Sequence, residues 1–153
     1  MNAYMALALA EAKKGVENGE GGPFGAVIVK DGEVIASGHN EVLKSNDPTA
    51  HAEVVVIRKA SALLKQFHLS ECTLYVTGEP CPMCFSAIHW AHLKEVIYAT
   101  TKEEAAAVGF DDVAITEILQ GDRTDTIPFI HQPQRACSRF IESWSDAPTR
   151  VDY

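Results

Sequence analysis

Four side chains in two short runs could do chemistry together. His51-Ala52-Glu53 offers an imidazole and a carboxylate two residues apart, and Pro80-Cys81-Pro82-Met83-Cys84 offers two thiols three apart. One nitrogen and two sulfurs suit Zn²⁺, and three protein ligands leave its fourth position to water, which distinguishes a catalytic site from a structural one. A neutral imidazole, two thiolates and Zn²⁺ sum to zero charge, so the metal stays electrophilic enough to ionise water near neutral pH. His51, Cys81 and Cys84 are therefore the expected metal ligands. Glu53 is the expected catalytic acid–base, because a structural zinc has no use for an adjacent carboxylate. The competing assignment is a closed structural zinc completed by Cys72, Cys137 or a second histidine.

The elements around these runs must bring them to one point. On a regular helix, residues two apart face different ways. His51 and Glu53 can serve one metal only if it lies beyond the N-terminal end of a helix, toward which side chains tilt. Cys81 and Cys84 share a face at the start of another helix. The expectation is a zinc held between two helix N-termini, whose positive dipole ends favour thiolate and hydroxide.

Apolar residues at helical spacing predict a first helix over 3–17, ended by the glycines from Gly19 to Gly22. Strand-like runs at 24–30 and 33–38 flank Asp31-Gly32, a strong hairpin signal. A helix follows His51, with Val55, Val56, Ala60, Leu63 and Leu64 available for burial. Then come a strand at 73–77, a helix from Cys81 to His92, a strand at 95–100, and short helices at 103–108 and 113–120. A last strand at 127–131 and a last helix at 134–144 complete the reading. A hairpin followed by alternating helices and strands implies an α/β fold: a three-layer αβα sandwich on a mixed, about five-stranded sheet.

The chain has 153 residues, 46% apolar and 22% charged, with no internal repeat or linker, and reads as a single domain over 1–153. Its four cysteines form no disulfide framework and suit a reducing compartment. The apolar stretch at 3–10 lacks a basic leader and reads as an amphipathic helix, not a signal peptide. No run is long enough to span a bilayer. A cytoplasmic protein is expected. Net charge is −8, and the basic residues come in ones and twos, so a nucleic-acid partner is disfavoured and a small molecule favoured.

With these residues in view, the chain resembles the cytidine-deaminase-like superfamily, whose zinc signature is H-x-E…P-C-x-x-C. Within it, the chain is most similar to the bacterial guanine deaminases. The resemblance rests on Gly21-Gly22-Pro23-Phe24-Gly25-Ala26-Val27-Ile28-Val29-Lys30-Asp31-Gly32, on 46–54 around His51, on Glu79 to Cys84, and on Gly109-Phe110-Asp111-Asp112. The middle two stretches also look like tRNA adenosine deaminases; the first and last favour the purine-base branch.

The resemblance implies hydrolytic deamination of a purine base, guanine to xanthine and ammonia. It implies substrate contacts at Asn40, Asp112 and Tyr153, with Phe24 a further stacking candidate. Each of the first three has a plainer alternative: a strand-end cap for Asn40, a helix N-cap for Asp112, a frayed end for Tyr153. It further implies a homodimer whose C-terminal tails, here 145–153, cross to close the partner's site. Gly78 stands where relatives often carry Cys or Leu, and a glycine there is expected to loosen or widen the pocket wall. Guanosine deamination is the nearest alternative activity. Editing of adenosine in tRNA and a non-enzymatic zinc-stabilised binding module stand further off. His39 is a candidate pocket residue, His89 and His92 are expected to pack or face solvent, and Cys72 and Cys137 are expected in the core.

Overall fold

The first hairpin turns where the Asp-Gly pair foretold it. In a computed structural model, which describes residues 2–110 and 112–153, Asp31 and Gly32 both take positive φ, 50° and 80°. That is the backbone a two-residue primed turn requires. The turn joins β1 (Gly25–Lys30) to β2 (Glu33–His39). β3 (Cys72–Gly78) and β4 (Glu95–Thr100) complete a four-stranded sheet of order β2-β1-β3-β4. β1 is antiparallel to both its neighbours, whereas β3 and β4 are parallel, joined through a helix as a β-α-β unit must be.

The chain order of helices is α1 (Ala3–Glu17), α2 (Val42–Ser45), α3 (Ala52–Leu64), α4 (Pro82–Trp90), α5 (Lys102–Ala106), α6 (Val113–Gln120) and α7 (Arg135–Ser145). β1 is buried on both faces, and its alternation sorts the core. Val27 and Val29 pack with Ala8 of α1 and its neighbours Tyr4, Met5 and Leu7. Ala26 and Ile28 face the other way, against Ala52, Val56 and Ala60 of α3 and Ile88 of α4. These are the three layers. At Gly25 an added Cβ would lie 2.6 Å from the Ala12 nitrogen, so α1 rests backbone to backbone on β1 where only glycine fits. No helix among the described residues is long and apolar enough to cross a membrane.

Two expectations are corrected, and one element is new. No strand forms at 127–131, so the sheet has four strands, not five. The run is apolar, but Pro128 lacks a donor and no neighbouring strand receives it; Phe129 and Ile130 are 85% and 83% exposed. Cys137 is exposed, while Cys72 is fully buried as expected. The short α2 was not foreseen, because four residues are too few to show a period.

Candidate active site

Two helix starts meet at the proposed metal position. His51 is the N-cap residue of α3 and has extended backbone angles, φ −65° and ψ 156°. That break in helical geometry lets residues two apart serve one centre. Cys81 is the N-cap of α4, followed by Pro82 at the first helical position, where its missing N–H costs nothing. The Cys81 sulfur takes the place of a capping oxygen and accepts the Cys84 backbone N–H at 3.5 Å.

His51 Nδ1 lies 3.6 Å from the sulfurs of both Cys81 and Cys84. A tetrahedral zinc with bonds of about 2.3 Å to sulfur and 2.0 Å to nitrogen sets such N···S edges at about 3.5 Å. The three donors fit zinc, and their ligand atoms all lie within 4.8 Å of one another. Among the protein groups alone, Cys81 is held down to about 4, chiefly by the hydrogen bond from Cys84, with His51 contributing. Cys84 is pushed up by the same partnership and by burial. His51 is raised, chiefly by its hydrogen bond to Cys81. A metal binding here displaces the proton that Cys84 otherwise keeps.

Glu53 sits in the first turn of α3, 6% exposed. Burial raises its carboxyl, with the neighbouring Cys81 thiolate adding to the shift. A carboxyl so placed can both take and return a proton. Glu53, His51 and Cys81 line a cavity of about 560 Å³.

Of the three substrate contacts implied by resemblance, Asn40 and Asp112 line that cavity, as does Phe24, the further stacking candidate. Asn40 is 6% exposed, and its Oδ1 accepts the Val42 N–H at 3.1 Å. With Oδ1 committed there, the carboxamide NH₂ is the end left to offer a ligand. Asp112 stands at the N-cap position of α6, where its plainer assignment put it. Asp111 lies outside the described residues. Tyr153 does not line its own chain's cavity; it packs against Trp90 and Phe67, at centroid distances of 6.1 and 6.3 Å.

Phe24 meets Phe110 edge to face at 5.0 Å. A Cβ on Gly78 would meet the Phe24 ring at 3.0 Å, so the space freed by the glycine is filled by that ring. The expected widening of the wall does not occur. His39 is also corrected: it is buried but does not line the cavity, and it bridges Glu11 and Glu20 instead. Sequence reasoning missed Phe110 as a wall, although it lay inside a quoted motif. It also missed Lys102, whose Nζ pairs with Glu79 at 3.4 Å across 23 residues, a separation that leaves no local pattern.

Comparison with known proteins extends these findings beyond the ligand set. Residues 1–100 match the cytidine and deoxycytidylate deaminase zinc-binding region. The chain is 46% identical to the guanine deaminase of Bacillus subtilis over 98% of its own length and 97% of that protein's. A crystal structure of a Bacillus subtilis guanine deaminase superposes with a TM-score of 0.93, covering 100% of this chain and 99% of that one at 45% identity. The tRNA-specific adenosine deaminase of Aquifex aeolicus is 43% identical, over 69% of each chain. Shared sequence across the zinc region, and a fold shared with its solved relatives, lead to one conclusion: this chain belongs to the cytidine and deoxycytidylate deaminase family and is a zinc-dependent hydrolytic deaminase.

Proposed function

We propose that the substrate is guanine, converted with water to xanthine and ammonia. The observation that carries this reading is the reach of the similarity. The guanine deaminase match spans 151 residues and so extends well past the zinc region at 1–100, whereas the Aquifex tRNA deaminase match spans 105 residues. Those later residues supply Phe110 and Asp112 to the cavity.

Zinc held by His51, Cys81 and Cys84 supplies Lewis acidity that brings the ionisation of water near neutrality. The chain's own residues do the rest. Glu53 takes one proton from the attacking water and gives it to the ring nitrogen, then carries the second, from the new hydroxyl, to the departing amine, so water's two protons end on the product ring and on ammonia. The Asn40 carboxamide donates to an acceptor on the purine edge, and Asp112 accepts from a ring N–H. Phe24 and Phe110 wall the base.

Charge supports a neutral substrate. Lys102 is the one cation among the described lining residues, and its Nζ is paired with Glu79. Together with the net charge of −8, this opposes a phosphate-bearing or RNA substrate.

We further propose that residues 1–153 act as one domain in the cytoplasm, where the thiols stay reduced. The working form is a homodimer, with Tyr153 and the tail 145–153 covering the partner's cavity. Support comes from apolar side chains left bare on α7 and before it, including Phe140 at 74% and Ile141 at 69% exposure. An ammonia-release panel tests the substrate: guanine, guanosine, deoxyguanosine, cytidine, cytosine, adenine and a tRNA anticodon stem. Guanine is expected to turn over best. Turnover of guanosine alone would transfer the assignment to the nucleoside.

A further inference from the structure

We propose that Glu20 and His39, neither of which lines the cavity, are positioning residues that set the substrate-holding angle of Asn40. This rests on reading Asn40 as a substrate contact.

Glu20 lies in the loop between α1 and β1 and is tied on both sides of Asn40. Its carboxylate takes His39 Nε2 at 2.6 Å, and His39 is the residue immediately before Asn40. Its backbone carbonyl accepts the N–H groups of Leu43 and Lys44, each at 3.0 Å, just after Asn40. The Lys44 ammonium donates to the same carboxylate at 3.1 Å. One residue therefore anchors both ends of the segment 39–44.

His39 is anchored in turn. Its Nδ1 lies 3.0 Å from Glu11 Oε2 on α1, and Ser37 Oγ donates to the other Glu11 oxygen at 3.1 Å. The ring, 4% exposed, lies directly over Gly15, where a Cβ would come within 2.5 Å of its Cδ2. A carboxylate oxygen at each ring nitrogen fixes the ring from both ends. Hydrogen bonds from His39 and then Lys44 hold the Glu20 carboxyl below its usual range, so it stays an ionised acceptor.

Asn40 then has little freedom. Its N–H bonds the Phe24 carbonyl at 2.9 Å, and its Oδ1 accepts from Val42, which belongs to the turn Glu20 holds. Gly21, the next residue after Glu20, backs directly onto Asn40: a Cβ there would lie 2.7 Å from the Asn40 carbonyl carbon. With Glu11 and Glu20 partly exposed and Lys44 half exposed, such ion pairs contribute little net stability. What they supply is a fixed orientation for the carboxamide that faces the cavity.

Positioning through Asn40 has a kinetic signature that plain structural support lacks. Glu20→Gln keeps the main-chain bonds and volume but removes the charge. It is expected to raise KM for guanine about tenfold, the scale of one charge-assisted hydrogen bond, with kcat within about twofold and zinc content unchanged. Asn40→Ala is expected to raise KM as much or more, and the double variant to be no worse than Asn40→Ala alone. An unchanged KM in Asn40→Ala would refute the substrate contact itself. A raised KM in Asn40→Ala with a wild-type KM in Glu20→Gln would refute the positioning alone, as would additive effects in the double variant. If Glu20→Gln does not fold, Lys44→Met strips one cation from the same carboxylate at the surface. It must then raise KM at least about twofold, and a wild-type KM there overturns the proposal.

Discussion

Gly21 offers a direct test of how tightly the base-binding wall is built. An alanine Cβ at this position would lie 2.7 Å from the Asn40 carbonyl carbon and closer still to its two oxygens. Ordinary contact begins at 3.4 Å, so that carbon alone must retreat by about 0.7 Å. Neither side yields freely. The loop holding Gly21 is pinned through Glu20 to Gly15, Leu43 and Lys44, and Asn40 is bonded to Phe24. Overpacking of this kind costs about 1–3 kcal/mol of stability. Misplacing a substrate-orienting group by about 1 Å costs up to about a hundredfold in rate. Gly21→Ala is therefore expected to lower kcat/KM for guanine by between about tenfold and a hundredfold, while zinc stays near one per chain. The assay is steady-state ammonia release, read beside metal analysis and urea denaturation. Gly19→Asn serves as the control: Gly19 has φ 66° and nothing near its Cβ position, and asparagine tolerates that backbone. A folded Gly21→Ala enzyme with wild-type kcat/KM would refute the close coupling of this loop to Asn40.

Other perturbations separate the remaining parts of the site. Glu53→Gln is expected to lose roughly 10²–10⁴-fold in kcat while keeping zinc. Its stability should be no lower than wild type, since burial already penalises the charged form; full turnover would remove Glu53 from the mechanism. Glu11 tests the charge cluster by acid. Burial pushes its carboxyl up, but hydrogen bonds from His39 and Ser37 outweigh this and leave it below its ordinary 4.5. A depressed carboxyl stabilises the fold above its unfolded value and loses that contribution as pH falls through the folded one. Glu11→Gln should therefore flatten the fall in urea midpoint between about pH 5 and pH 3; an unchanged slope would contradict the pairing. For the tail, a chain lacking residues 145–153 is expected to lose activity and to regain part of it when mixed with full-length Glu53→Gln. The mixed dimer restores one complete site, and wild-type activity in the truncated chain alone would retire the tail as a cover.

The legibility of this protein divides along the range of the interactions involved. His51, Glu53, Cys81 and Cys84 were readable because zinc chemistry demands particular atoms, and helix starts place those atoms through a few adjacent residues. The hairpin at Asp31-Gly32 and the bounds of β4 and α6 were readable for the same reason: each depends on local backbone preference and period. The strand expected at 127–131 failed because a strand is a relation between segments, and an apolar run alone does not supply a partner. His39 was misplaced as a cavity residue because its carboxylate partners lie 28 and 19 residues away, beyond any local pattern. Gly78 was read as a gap; only the fold shows Phe24 filling it.

The sequence by itself determined the reaction class, since the donor set and the glutamate beside it are properties of residue type and spacing. The tertiary structure decided how the pocket is shaped and oriented. It committed the Asn40 Oδ1 to Val42, brought Phe110 and Asp112 to the wall, and left Tyr153 outside its own cavity. Those features arise from packing between segments far apart in the chain, where distance in sequence carries no record of contact in space.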